Sequence, residues 1–215
     1  MKIQIDKANL LRGIQIVQNT ISSKISLPIL NNILIETHGK QLRFIGTDLD
    51  VGISCVVPVN ILSEGAITLP AKRIGDVIRE LPSGEVTLIA KKNNMVDIES
   101  GKCRFKLLGL PKDEFPKLPE FKDKESIQIP REDLKEMLLL TSFAVSHEET
   151  RYILNGILLE IKEGVLRLVA TDGRRLALAE RNIGASAKKD ISFILPIKAV
   201  QELVRNITDE GTVSL

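Results

Sequence analysis

Apolar and polar positions along this 215-residue chain follow two rhythms. Met1-Lys2-Ile3-Gln4-Ile5-Asp6 alternates with the period of two expected of a half-buried strand. From about Lys7 to Ser22 the period lengthens, and Leu10, Leu11, Ile14, Val17 and Ile21 fall on one face of a helix. Ile29–Glu36 and Gln41–Thr47 read as strands flanking a turn at His38-Gly39. A second helix is predicted from about Ala71 to Leu81. Ile74, Val77, Ile78 and Leu81 face its core side, Lys72 and Arg79 lie opposite, and Arg73 lies at the flank. Met95–Ile98 and Cys103–Leu107 read as two further strands joined at Ser100-Gly101.

This series of elements occurs twice. Ile29-Leu30-Asn31-Asn32-Ile33-Leu34-Ile35-Glu36 aligns with Ile153-Leu154-Asn155-Gly156-Ile157-Leu158-Leu159-Glu160 at an offset of 124 residues. Ile3-Gln4-Ile5, Leu10, Leu42-Arg43 and Thr47-Asp48 have counterparts at that offset in Ile127-Gln128-Ile129, Leu134, Leu166-Arg167 and Thr171-Asp172. Leu69-Pro70 and Lys72 match Leu195-Pro196 and Lys198 after a slip of two, and Gly84 and Val86 match Gly211 and Val213 after one more. A repeat of this length is a duplicated domain. The expected organisation is a complete first domain over 1–120, a linker over 121–126 and a second domain over 127–215. The Pro- and charge-rich stretch from Phe115 to Lys124 marks the join. The second copy ends at the counterpart of Leu88, so its last hairpin is expected to be missing. In that copy the helix from about Ile197 buries Val200, Leu203, Val204 and Ile207, and carries Lys198 and Arg205 opposite. The fold class expected is therefore α+β: two helices per copy packed on antiparallel sheets.

Composition narrows the core and the compartment. Hydrophobic residues are 43% of the chain, aromatics only 3%, and Trp is absent, so the cores are built from Ile, Leu and Val. Thirty Lys/Arg against twenty-eight Asp/Glu give a formal charge of +2, so any nucleic-acid surface depends on cations gathered on one face. Cys55 and Cys103 sit in apolar stretches and are expected as buried, reduced thiols. No segment has the roughly 20 consecutive apolar residues of a membrane span, and a reducing cytoplasm is the simplest location.

Two features suggest chemistry. Lys72 and Lys198 sit at equivalent places on the outer face of the same helix, where cations meet phosphate without reading sequence. Asp48 and Asp50, with Asp172, form the kind of carboxylate set that a metal-dependent hydrolase would use. Against that reading, Asp50 becomes Arg174 in the second copy, and no phosphate loop, Cys/His cluster or activated nucleophile accompanies the acids. No metal or cofactor is expected. A stand-alone peptide-binding scaffold is the other alternative.

Leu27-Pro28-Ile29-Leu30-Asn31, Gly46-Thr47-Asp48-Leu49-Asp50, Arg151-Tyr152-Ile153-Leu154-Asn155-Gly156 and Ala170-Thr171-Asp172-Gly173-Arg174-Arg175-Leu176-Ala177 carry a resemblance across the whole chain. They are similar to the bacterial DNA polymerase III β-subunit family, the β sliding clamps. The resemblance implies a DNA-clamp fold with three such domains per subunit. Two subunits close head to tail into a homodimeric ring, with helices inside and sheets outside. It implies a non-catalytic processivity factor that slides on double-stranded and primed DNA. The replicative polymerase, the clamp loader and repair polymerases bind it through short linear motifs. DNA contacts are implied at Lys24, Lys72, Arg73, Arg151, Tyr152 and Lys198. Glu148 stands where the family offers a polar Gln, and its carboxylate repels phosphate. The domain-two wall of the partner-peptide groove is implied at Leu154, Thr171, Gly173, Arg174, Arg175 and Leu176, with Gly173 allowing close backbone approach.

Overall fold

A computed structural model of the chain describes residues 1–21, 27–119, 126–148, 150–184, 190–208 and 210–215. The chain forms two compact units, Met1–Pro119 and Glu120–Leu215.

Unit 1 opens with β1 (Lys2–Asp6) and α1 (Lys7–Gln18). The Asp6 carboxylate accepts the Ala8 amide at 2.8 Å, which satisfies one of the donors a helix start leaves unpaired. β2 (Asn32–His38), β3 (Gln41–Thr47) and β4 (Gly52–Pro58) follow, then β5 (Asn60–Ser63) and β6 (Ala66–Pro70). α2 (Ala71–Glu80) leads into β7 (Glu85–Ala90), β8 (Met95–Ser100) and β9 (Cys103–Leu108). The strands form two antiparallel sheets, ordered β5-β1-β7-β8-β9 and β4-β3-β2-β6. α1 and α2 pack on each other, and α1 lies against β3 and β4. Ile3, Leu10, Ile14, Leu42, Phe44, Leu69, Ile74, Ile78 and Leu88 are fully buried together. Each such side chain contributes about 1.5–3 kcal/mol relative to exposure.

Unit 2 repeats this plan from β1 through β7, without a counterpart of β5 among the described residues. β10 (Gln128–Pro130) pairs with β15 (Thr212–Ser214). β11 (Gly156–Lys162), β12 (Val165–Thr171), β13 (Leu176–Asn182) and β14 (Ile191–Pro196) form a sheet ordered β13-β12-β11-β14. α3 (Arg131–Ser142) and α4 (Ile197–Asn206) pack on each other and on this sheet. Pro130 replaces the Asp6 cap, and Glu132 and Asp133 in the first turn of α3 oppose the positive end of its dipole.

Three expectations change. Residues 29–31 are not strand: Pro28–Asn31 forms a 3-10 turn, and β2 starts at Asn32. Pro28 suits the first position of that turn, and the equivalent Tyr152–Leu154 segment of unit 2 turns in the same way without a proline. α1 stops at Gln18, short of Ser22, which lies outside the described residues together with 121–125 of the expected linker. Cys55 and Cys103 are half-buried rather than buried. Burial still pushes the Cys55 thiol up to about 11, and its Sγ lies 3.5 Å from the Gly13 carbonyl.

A device absent from the sequence reading recurs in both units. Lys7 Nζ donates to the Arg79 carbonyl at 2.9 Å and to that of Leu81, so it holds the carbonyl end of α2. Its counterpart Arg131 donates to Thr208 Oγ1 at 2.7 Å and to the Glu210 and Thr212 carbonyls at 3.0 and 3.2 Å. A cation suits the α2 end because its last carbonyls lack helical partners, whereas Arg131 ties down the segment between α4 and β15.

Candidate nucleic-acid and partner-binding surfaces

The cationic positions differ more than their spacing implies. On α2, Ile74 and Ile78 are buried while Lys72 and Arg73 are exposed. Arg79 is not free, because its guanidinium pairs with Asp76 at 3.0 Å. The same pairing recurs on α4, where Arg205 binds the buried carboxylate of Glu202. In each copy the outer arginine is thus answered by an acid three residues earlier. Lys198 is only half exposed and is engaged with a neighbour. Lys24 lies outside the described residues.

Arg151 is the most constrained of these cations. Its Nε pairs with Glu148 at 3.0 Å, and its Nη1 donates to the Asp172 carbonyl at 3.3 Å. Glu148 therefore neutralises the group beside it, which is a stronger effect than the simple repulsion of phosphate expected from sequence. Tyr152–Leu154 forms a 3-10 turn that leaves Tyr152 83% and Ile153 75% exposed. Two aromatic or aliphatic side chains held out in water by a short rigid turn are suited to stacking or anchoring. The Asn155 carbonyl accepts the Ile197 amide at 3.0 Å, which ties this turn to the start of α4.

The turn between β12 and β13 gathers all the candidate groove residues except Leu154. Thr171 Oγ1 donates to the Arg175 carbonyl at 2.7 Å and accepts the Gly173 amide at 3.1 Å. Asp172 Oδ1 accepts the Arg174 and Arg175 amides at 2.9 and 3.1 Å, and its Oδ2 meets Arg175 Nε at 3.0 Å. The Arg174 and Arg175 amides, then the Arg175 side chain, hold the Asp172 carboxyl below the ordinary carboxylate range. Asp172 thus organises the turn and is not an open ligand. Asp48 does the same in unit 1, where it accepts the Asp50 and Val51 amides at 3.1 and 2.8 Å. No group of three or more acids, histidines or cysteines converges as a metal site among the described residues.

Gly173 also has a conformational reason, separate from the close approach expected of it. Its φ is +87°, in the left-handed region that glycine enters without strain. The counterpart Leu49 holds φ +80°, so the turn itself imposes this conformation in both copies. Leu176 follows, 64% exposed at the start of the edge strand β13.

Phe143, which the sequence reading passed over, completes this corner. It ends α3, is 59% exposed, and its ring centroid lies 5.4 Å from the Arg175 guanidinium carbon. Asp172 on one side and Phe143 on the other fix the Arg175 head. A visible signal was the replacement of polar Asn19 by Phe at the equivalent helical position.

Residues 1–119 match the DNA polymerase III beta subunit N-terminal domain, and residues 128–215 match its central domain. The chain belongs to the DNA polymerase III beta subunit family. The beta sliding clamp of Chlamydia pneumoniae is 37% identical over 215 residues, covering 100% of this chain and 59% of that protein. The Vibrio cholerae clamp is 36% identical over 207 residues, covering 95% and 56%. The fold is that of the solved Bacillus subtilis clamp, with a TM-score of 0.96 at 33% identity over 100% of this chain and 59% of that one. A Pseudomonas aeruginosa clamp solved with griselimycin bound gives a TM-score of 0.92 at 33% identity, covering 100% and 58%. The chain therefore spans a little under three-fifths of the relatives it matches, and its α+β architecture is the clamp fold duplicated.

Proposed function

We propose that this chain supplies the first two domains of a DNA sliding clamp. The clamp is a non-catalytic, cytoplasmic processivity factor that encircles duplex DNA as a homodimeric ring and holds polymerases and the clamp loader through short peptides. The single observation that carries the reading is the match of both units, in order and over the whole chain, to successive beta-subunit domains. In this reading Lys72 and Arg73 meet phosphate on unit 1, while on unit 2 Arg151 meets phosphate and the exposed Tyr152 stacks on or hydrogen-bonds to the nucleic acid. Lys198 contributes less, since it is already engaged. The corner of Leu154, Thr171, Gly173, Arg174, Arg175 and Leu176, backed by Phe143, is one wall of the partner groove. The exposed Leu176 and Phe143 offer apolar surface, and an edge strand offers backbone groups to an extended peptide.

The test uses the chain extended to the length of its relatives. Loaded on nicked circular DNA, it should be retained in salt that removes it from the same DNA once linearised, because a ring slides off free ends. Equal retention on both forms would refute encirclement. A labelled polymerase-derived peptide should lose at least about tenfold in affinity on Arg175→Ala with Leu176→Ala, as expected when anchor residues are truncated. The alternative of a peptide-binding scaffold without DNA gains from the exposed Phe143, Tyr152, Ile153 and Leu176. It predicts peptide binding with no salt-sensitive DNA retention.

A further inference from the structure

In unit 1 the chain passes over its own sheet. Gly109 and Leu110 lie against β6, where Leu110 exchanges amide–carbonyl bonds with Thr68 at 3.1 and 3.2 Å. A side chain at Gly109 would meet the Thr68 carbonyl at 2.2 Å, so this close approach depends on glycine. Lys112 then pairs with Glu36 at 3.0 Å. Phe115 is buried in a cluster with Leu34 and Ile45, which is separate from the main core and is joined by Ile29, Ala66 and Leu118. Leu118 reaches Gly52, where an added Cβ would lie 2.6 Å from its Cδ2.

The covered positions are the counterparts of the candidate groove and its floor in unit 2. Leu34, Ile45 and Gly52 correspond to Leu158, Val169 and Leu176. Leu158 and Val169 are half-buried, and Leu176 is exposed. Glycine stands at position 52, where unit 2 has leucine, and Leu118 fills the space that such a side chain would take. The neighbouring turns share one hydrogen-bond pattern, with Thr47-Asp48 built like Thr171-Asp172.

We propose that the outer face of the β4-β3-β2-β6 sheet is a second peptide-binding site, occupied in cis by the chain's own Phe115-Pro116-Lys117-Leu118. Its ligand class is an extended segment with an aromatic residue and a leucine three apart around a proline. The strap keeps this site closed to other segments and leaves unit 2 as the open one. The inference rests on the peptide-groove reading of unit 2.

The probe is a fluorescein-labelled peptide of residues 113–119, Asp-Glu-Phe-Pro-Lys-Leu-Pro, titrated by anisotropy into the full chain. Arg175→Ala and Leu176→Ala are present throughout, to silence unit 2. Phe115→Ala with Leu118→Ala releases the strap. Phe115→Ala alone loosens the strap without filling the Leu118 subsite and serves if the double variant does not fold. A tethered segment competes at an effective concentration in the millimolar range, so release should raise the apparent affinity on the order of tenfold or more. Saturable 1:1 binding that appears only in a strap-released, folded variant supports the site. No saturable binding in a released variant that keeps the native circular-dichroism spectrum overturns it, as does equal binding with the strap in place. A polymerase-derived peptide on the chain with unit 2 intact is run in parallel. If that binds and the strap peptide does not, the unit 2 groove stands and the second site falls.

Discussion

The pairing of Arg151 with Glu148 gives a measurable claim about DNA contact. At 3.0 Å and with both side chains half or more exposed, the pair contributes little to stability, at most about 1 kcal/mol. Its effect on DNA is larger, because a phosphate must compete with a carboxylate already in place. Glu148→Gln leaves the loop geometry intact, since the Glu148 carbonyl still accepts the Arg151 amide at 3.1 Å and Arg151 still donates to the Asp172 carbonyl. It frees one cation for phosphate. Each phosphate neutralised on duplex DNA steepens the dependence of log affinity on log salt by about 0.9. Between roughly 50 and 200 mM salt, one added contact therefore changes the ratio of variant to parent affinity about 3.5-fold, in favour of the variant at low salt. The assay is anisotropy of a labelled primed duplex over that salt range, with the family-length protein. Arg151→Ala in the Glu148→Gln background should restore the parent slope. An unchanged slope in Glu148→Gln would show that freeing Arg151 from Glu148 adds no phosphate contact, and would refute the competition.

Other consequences follow from local geometry. Gly173→Leu should lower stability by about 1–2 kcal/mol, because it forces a branched residue to φ +87°. Leu49→Gly should change stability by less than about 1 kcal/mol, as relief of strain offsets the added chain entropy; thermal melts of the two variants check the contrast. Gly13→Ala places a methyl group 2.5 Å from Phe44 Cε2, and overpacking of about 1–3 kcal/mol outweighs the roughly 1 kcal/mol gain in helix propensity. Phe44→Leu should rescue Gly13→Ala in urea titrations, since the second copy buries Met137 and Leu168 in one core cluster at these positions; strict additivity would refute the clash. Burial raises the Glu36 carboxyl, but hydrogen bonds from Arg43 and Lys112 outweigh it and hold the pKa below the ordinary 4.5. A depressed carboxyl stabilises fully above that value and loses its effect as the pH falls through the lower folded value. Glu36→Gln should therefore cost about 1–2 kcal/mol at neutral pH, and the gap to the parent should close in acid; a gap independent of pH would remove the ionised carboxylate from the account.

The helical faces were legible because they depend only on spacing. Ile74 and Ile78, four residues apart, are buried, while Lys72 and Arg73 are exposed. The duplication was legible for the same reason, and it carried the fold class. Partners that meet only through tertiary packing could not be read from spacing. Phe143 reaches Arg175 because α3 lies along β13, with its first turns near Arg181 and its last residue near Arg175. The pairs Asp76–Arg79 and Glu202–Arg205 stood in the sequence at helical spacing, yet a reading that sought cations for phosphate passed over the acids beside them. The 3-10 turn at Pro28–Asn31 was misread because its apolar residues imitate a strand, and only the proline signalled otherwise.

The two copies keep the same fold while their surfaces part company, and this bears on which unit does what. On α1 the outward positions Arg12, Gln15 and Asn19 are polar or cationic, whereas α3 carries Glu136, Leu139 and Phe143 at the same places. Glu136 is taken up by Arg181 at 2.6 Å, and Leu139 and Phe143 remain more than half exposed. A phosphate surface built simply by repeating one cationic face would not tolerate an acid and two apolar groups in the second copy. The repeat therefore accounts for the scaffold and not for the charge. Unit 1 exposes Lys72 and Arg73 and has its apolar outer face closed by Phe115 and Leu118. Unit 2 offers engaged cations and an open apolar corner at Phe143, Arg175 and Leu176. The two copies thus keep one core plan while they expose different groups at equivalent positions, Asn19 against Phe143 and Gly52 against Leu176.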